Sequence, residues 1–136
     1  MELREVVVRR RRAPVLVVPF AHEAAYRERY AEPDKAAGGE PQDPRERWGV
    51  PYWYVDAGMA SLLMLLTAVD EGLGACFFGV PAERVAALRA EFGVPDDHEP
   101  VGVVAVGHPA PEQAVRGSAA RRRRRPLDEV VHRGGW

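Results

Sequence analysis

The sequence has a single cysteine, Cys76, so no disulfide can form within the chain. Proteins without internal disulfides are typical of reducing compartments, and we expect this one to be cytoplasmic. Cys76 lies in the apolar run ACFFGV, which predicts a buried core thiol, with a reactive nucleophile as the minor alternative.

Long apolar segments are also missing. The longest apolar run covers residues 57–69 and is shorter than the roughly 20 residues that a membrane-spanning helix needs. The opening residues MELREVVVRRRR lack the apolar core of a secretory signal. We therefore expect a soluble intracellular protein with no membrane partner.

The common catalytic motifs are absent. There is no P-loop, no GxGxxG between a strand and a helix, and no Ser-His-Asp or paired-carboxylate constellation. The four histidines are scattered without metal-ligand spacing, so no metal site is expected; they are His22, His98, His108 and His132. No residue is assigned as a catalytic acid, base or nucleophile.

What is present is the composition of one globular domain. Apolar residues make up 46% and charged residues 29% of 136 residues, which predicts a single domain over residues 1–136. The formal net charge of −1 gives no general reason to expect binding to nucleic acid.

The hydrophobic pattern predicts alternating strands and helices. A continuous apolar run predicts a buried strand over residues 15–20, and a short helix follows over 21–35 and breaks near Pro33. Residues 36–49 are rich in glycine, proline and charge, which predicts a surface loop. The strongest helix runs from Pro51 to Glu71, and its apolar residues predict that most of its circumference is buried.

Strands and helices also alternate in the second half of the chain. Gly72 and Gly74 are expected to end the long helix in left-handed conformations. The elements that follow are a buried strand over 75–80, a helix over 81–93 that Gly93 ends, a strand over 99–109, and a connector with a basic arm over 110–136.

The stretch DEGLGACFFGVP, residues 70–81, exposes more backbone than a buried strand needs. Helix termination and close packing explain Gly72. Gly79 is different, because it lies between a predicted strand and a helix that begins near Pro81. Free N–H groups at such a position attract electron-rich ligands, which makes Gly79 a candidate binding residue.

Five consecutive arginines occupy residues 121–125. No aromatic residues are interleaved with them, so stacking on nucleic-acid bases is the least favoured interpretation. The guanidinium group matches phosphate oxygens bidentately, and alternate residues of an extended segment share a face. A solvated tail and a phosphate-binding segment both remain open.

Four segments in order resemble the nitroreductase family of FMN-dependent oxidoreductases. They are RRAPVLVVP, DAGMASLLMLLTAVDEGLGACFFGVP, FGVPDDHEPVGVVAVGHP and RRRRRPLDEVVHRGGW, and the resemblance covers roughly residues 13–136. The most specific part of this resemblance is the succession of a helix, the residues GLG, a strand and a glycine, followed later by a basic arm. The resemblance implies an α+β fold, an α/β sandwich with a central sheet flanked by helices, here truncated.

The resemblance also implies a site for FMN. In the family, the turn after the GLG strand presents backbone amides to the flavin ring near N5, and this turn matches Phe78 and Gly79. The arginines that match the family's phosphate-binding segments are Arg11 and Arg12 near the start and Arg123 and Arg125 in the arm, with Arg122 and Arg124 as the alternative register.

The activity that the resemblance implies is the reduction of an electron-poor acceptor with NAD(P)H by a ping-pong route. Such sites need no acid–base triad because the flavin carries the chemistry, which agrees with the absence of a catalytic constellation. Family members are typically homodimers with the flavin at the subunit interface and C-terminal arms that cross to the partner.

The sequence departs from the family near its start. Residues 1–12 resemble a remnant of the first helix and the Arg-rich motif, and the chain then passes almost directly to APVLVVPF. The internal N-terminal block that supplies further phosphate and ring contacts in the family is missing. The alternative function is therefore a non-catalytic truncated member that dimerises or binds a ligand.

Overall fold

The computed structural model describes residues 13–35, 49–109 and 122–135. The predicted N-terminal helix and arginine motif of 1–12, nearly all of the predicted loop, and the connector 110–121 lie outside these residues. The described elements are β1 (Val15–Val17), β2 (Phe20–His22), α1 (Glu23–Ala31), α2 (Tyr52–Asp70), β3 (Gly74–Phe78), α3 (Ala82–Phe92), β4 (His98–Pro100), β5 (Val103–Gly107) and a 3-10 turn (Leu127–Glu129).

The strands form two antiparallel sheets. The larger sheet has the order β1-β5-β3, and β2 pairs with β4 in the smaller one. The core lies around the central strand β5, where Val103, Val104 and Ala105 are buried. Helix α2 packs against β2, β3 and β5. The predicted α+β fold with a central sheet and packed helices is confirmed.

The predicted buried strand over 15–20 is wrong in two respects. The run is divided between β1 and β2, which belong to different sheets, and Val15 is 50% exposed. Pro19 lies between the two strands and has no N–H to donate to a ladder, which explains the break. Strand β1 is also at the edge of its sheet, so its outer side remains open to solvent.

Helix α2 has the predicted extent to within a residue, and its end is confirmed in part. Gly72 has a φ of +68°, and the N–H of Leu73 donates to the carbonyl of Ala68 at 2.7 Å. Gly74 was expected to be left-handed but is the first residue of β3, paired with Gly107. One left-handed glycine is enough to reverse the chain direction, and the next residues then extend into the strand.

The prediction that most of the circumference of α2 is buried is wrong. Its buried residues are the small ones, Ser61 and Ala68, and small side chains allow the helix to approach the sheets closely. The large apolar side chains on the opposite face are exposed to between 55% and 69%, namely Met59, Leu62, Leu63, Leu66 and Val69. By length and composition alone α2 is long and apolar enough to cross a membrane, which for a single helix is weak evidence of a span.

Helix α3 begins after Pro81 and ends at Gly93, whose φ of +63° confirms the predicted left-handed terminator. Cys76 corrects another prediction, because it is exposed rather than packed in the core. Strand β3 is the second edge of its sheet, so residues in its middle remain accessible. The predicted strand over 99–109 is also divided, into β4 and β5, on either side of Gly102.

A candidate cofactor cleft at the end of strand β3

An apolar cleft of about 320 Å³ lies between the larger sheet and helix α3. Its volume is at the lower end of the range that small-molecule sites occupy. Its walls come from β1 and the start of β2, the end of β3 and the turn that follows, α3, and the start of β5; they include Leu16, Val18, Phe20, Leu88, Phe92 and Val103. The lining is almost entirely apolar, so the cleft suits an apolar group.

Two of the predicted cofactor-binding residues meet in this cleft. Phe78 is the last residue of β3 and Gly79 begins the turn to α3, and both line the cleft. A Cβ built on Gly79 would meet no atom within 4 Å, and its φ is not positive. Neither packing nor backbone conformation within the described chain requires a glycine here, so the open space beside it is available to a ligand.

Two other glycines, Gly74 and Gly102, have a packing reason. A Cβ on Gly102 would lie 2.3 Å from the Phe77 ring and 2.9 Å from the backbone oxygen of Phe78. A Cβ on Gly74 would lie 3.4 Å from the backbone of Pro109. Gly79 differs from both because nothing in the described structure fills the space beside it.

Arg84 is a residue that the sequence analysis missed. It lies in the first turn of α3, where its N–H donates to the carbonyl of Pro81 at 2.8 Å. It is the one charged side chain among the described residues that line the cleft. Its position after Pro81 marked it as a first-turn residue, but only the packing of α3 against the sheet brings it to the cleft.

The predicted arginines are not brought to this cleft. Arg123 and Arg125 belong to the arm 122–135, in which every residue is exposed, and none of the described residues that line the cleft comes from that arm. Arg122 and Arg124, the alternative register, are equally exposed. Arg11 and Arg12 lie outside the described residues.

A second, more polar cleft has two aromatic residues in its lining. They are Trp53 and Tyr54, at the start of α2. The ring of Trp53 also contacts that of Tyr26 edge to face, with the ring centroids 6.1 Å apart. Tyr26 donates a hydrogen bond to Tyr30 at 3.5 Å, which with burial raises the pKa of Tyr26 to about 12. These aromatic residues form a wall between α1 and α2 and leave the Tyr54 ring partly exposed.

Two histidines that seemed unrelated in the sequence lie side by side. His22 ends β2 and His98 begins β4, and they are paired across the smaller sheet. Asp97 lies between their ring nitrogens, at 3.2 Å from His22 and 2.7 Å from His98. Sequence spacing gave no signal of this cluster, because it depends on the register of two strands from opposite halves of the chain.

The sequence of this chain is similar to those of known proteins. Residues 9–108 match the model of the nitroreductase family. A protein of Methanothermobacter thermautotrophicus, provisionally named NADH dehydrogenase/NAD(P)H nitroreductase, is 39% identical over 67 residues, which are 48% of this chain and 35% of that protein.

Solved structures agree with the fold. The crystal structure of a Clostridium acetobutylicum protein, provisionally named NADH oxidase, aligns with a TM-score of 0.50 and 26% identity, over 82% of this chain and 57% of that one. A nitroreductase family protein from Streptococcus pneumoniae is similar in fold, with a TM-score of 0.59 and 18% identity, over 89% of this chain and 64% of that one. The chain thus spans less than two thirds of the length of each of these relatives.

Proposed function

Because this chain belongs to the nitroreductase family, we propose that it is an oxidoreductase that binds FMN and uses NAD(P)H to reduce an electron-poor acceptor. The names of its relatives support an oxidoreductase function. One relative is provisionally named an NAD(P)H nitroreductase and another an NADH oxidase. Both names describe redox chemistry that starts from a nicotinamide donor.

The open space beside Gly79 is the observation that carries the proposal. A ligand ring that approaches the turn after β3 needs a residue without a side chain at the point of contact. Gly79 is such a residue, and a Cβ there would project into space that no described atom occupies. The apolar walls of the cleft suit the flat faces of a flavin. We propose that backbone N–H groups of this turn donate to the polar edge of its ring.

When bound, the flavin supplies the electron-transfer chemistry, and the protein has to bind and orient it. The turn at Phe78 and Gly79 would stabilise negative charge at the polar edge of the ring through backbone N–H groups. The apolar walls would exclude water. We propose that the arginines that the resemblance implies bind the phosphate, because guanidinium groups bind phosphate bidentately; they are Arg11, Arg12, Arg123 and Arg125. Since the described arm does not line the cleft of its own chain, Arg123 and Arg125 would reach the flavin of the other copy in the dimer proposed below.

We further propose that the protein is a homodimer, with a second copy covering the exposed face of α2. This face carries Met59, Leu62, Leu66 and Val69 on successive turns, which is the spacing of a helix–helix contact. The described arm also exposes apolar residues, Leu127 at 69% and Val130 at 49%, which suits an arm that crosses to a partner. We propose the cytoplasm as its location, where the exposed thiol of Cys76 would stay reduced.

The visible absorbance spectrum of the purified protein tests the cofactor. The expected result is a flavin spectrum, with FMN released on denaturation in a 1:1 ratio to the chain and bleaching on addition of NADH or NADPH. A folded, colourless protein that does not bind added FMN would favour the alternative, a non-catalytic truncated member that dimerises or binds another ligand.

Substitution of Gly79 tests the position of the cofactor. We expect Gly79→Val to fold normally but to lose most of its bound FMN, because the added side chain occupies the space beside the turn. Gly49→Val is the matched control, since a Cβ there also meets no atom within 4 Å but lies away from the cleft. Equal FMN content in the two variants would mean that the flavin binds elsewhere in the protein.

A further inference from the structure

The cluster of His22, Asp97 and His98 is separate from the residues that line the proposed flavin cleft. The two imidazole rings stack with centroids 4.2 Å apart and planes 19° from parallel. One carboxylate oxygen of Asp97 lies 3.2 Å from Nε2 of His22, and the other lies 2.7 Å from Nδ1 of His98. Three potential ligand atoms of two chemical types therefore lie close together at the surface.

The distances between these atoms suit a metal ion. The three ligand atoms all lie within 4.8 Å of one another. Bonds of about 2.0–2.2 Å to Zn²⁺ place neighbouring ligand atoms roughly 3–3.5 Å apart in a tetrahedron. The stacked rings would have to rotate about their χ2 bonds to aim both nitrogens at one ion, a motion that leaves the backbone in place. The arrangement needs an adjustment of about an ångström, not a rearrangement of the fold.

The backbone that carries these ligands is held firmly. His22 and His98 are partners in the antiparallel ladder, and neighbouring residues of both strands are paired as well. Arg89 of α3 fixes the turn before β4, because its guanidinium donates to the carbonyl of His98 at 2.8 Å and to that of Asp96 at 3.1 Å. The same guanidinium pairs with Glu99 at 2.8 Å. These contacts hold the backbone that carries the ligands in place before a metal arrives.

The cluster is also accessible. The side chains of His22 and His98 are 29% and 35% exposed, and that of Asp97 is 60% exposed. An ion can therefore reach the site from solvent, and three protein ligands leave a coordination position for water. We propose that His22, Asp97 and His98 form a binding site for a divalent transition-metal ion with the ligand preferences of Zn²⁺, which accepts both imidazole and carboxylate ligands.

Titration of the full chain with Zn²⁺ tests this site. After dialysis against a chelator, the protein should bind one Zn²⁺ per chain by isothermal titration calorimetry and should not respond to Mg²⁺, which prefers oxygen ligands. His22→Gln and His98→Gln should each weaken Zn²⁺ binding at least about tenfold. His108→Gln, which changes an exposed histidine outside the cluster, should bind as the wild type does. No binding, or unchanged binding in both cluster variants, overturns the proposal.

A second measurement needs no variant and so does not depend on the variants folding. In the wild-type chain, one equivalent of Zn²⁺ should shift the imidazole NMR signals of His22 and His98 together. The signals of His108 and His132 should stay in place. Equal shifts at all four histidines would mean non-specific binding and would overturn the site.

Discussion

Glycine has different structural roles at different positions of this protein. Gly93 ends a helix in a left-handed conformation, and the sequence pattern was sufficient to predict it. Gly102 is required because the Phe77 ring and the Phe78 backbone lie against it, and this contact depends on the register of β3 and β5. No local pattern encodes that register, so this role could not be predicted from the sequence.

The crowding at Gly102 leads to a prediction about stability. Gly102→Ala should lower the free energy of unfolding by about 1–3 kcal/mol, because the exposed Phe77 ring can move away but the backbone of Phe78 cannot. Gly58→Ala is the matched control, since a Cβ on this helical glycine meets nothing within 4 Å. It should raise the free energy of unfolding by about 0.5–1 kcal/mol. Urea denaturation measures both, and a loss of stability in Gly58→Ala with none in Gly102→Ala would contradict this packing.

Tyr26 gives a prediction about pH. Its hydrogen bond to Tyr30 and its burial raise the pKa of Tyr26 from 10.0 to about 12. The folded state therefore favours the neutral phenol, and this contribution to stability is complete below pH 10 and is lost as the pH rises to about 12. Titration followed by tyrosinate absorbance should show a late ionisation that Tyr26→Phe removes. Circular dichroism at each pH checks that the fold persists, and an unchanged titration in the variant would refute the assignment.

At the scale of elements, helices were easier to predict than strands. The limits of α2 and α3 follow from local signals, namely a proline near the start and a glycine at the end. The apolar runs over 15–20 and 99–109 are each divided between two sheets, because each strand pairs with a partner distant in sequence. Apolar content marked these segments as strands but carried no information about their partners.

The burial of α2 was the largest error at this scale, and it has a physical reason. A helix that is apolar on all sides predicts burial on all sides, but the described residues bury only the face of Ser61 and Ala68. In the proposed dimer, a second copy covers the other face. A single sequence cannot distinguish a helix face that is buried within its own chain from one that is buried against another molecule.

The open face of α2 predicts an effect of charge on assembly. Leu66→Lys should convert the proposed dimer to a monomer in light scattering, because it places an unpaired charge in the middle of the contact. Ala86→Lys makes the same charge change at an exposed position of α3 and should leave the dimer intact. A wild-type monomer would disprove the dimer, and recovery of the protein only with membranes would show that lipid covers this face instead.

For the whole molecule, the fold class and the turn at Phe78 and Gly79 could be read from the sequence, through motifs that keep their order and spacing. The cleft wall at Arg84 and the cluster around Asp97 could not, since each is assembled by tertiary packing. The buried apolar core of the described residues is small; its members are Ala21, Ala68, Leu88, Val103, Val104 and Ala105. A core of this size suits a chain that gains stability from a cofactor or a second subunit.

The pairing of β1 with β5 and of β2 with β4 also has a consequence for biosynthesis. Strand β2 cannot pair until the ribosome has released the chain as far as Pro100, and β1 cannot pair until Gly107 has emerged, so both early strands emerge without partners. At about 5–20 residues per second, that interval lasts on the order of 10 s. During this time Val15, Leu16 and their neighbours form an exposed apolar segment to which chaperones can bind.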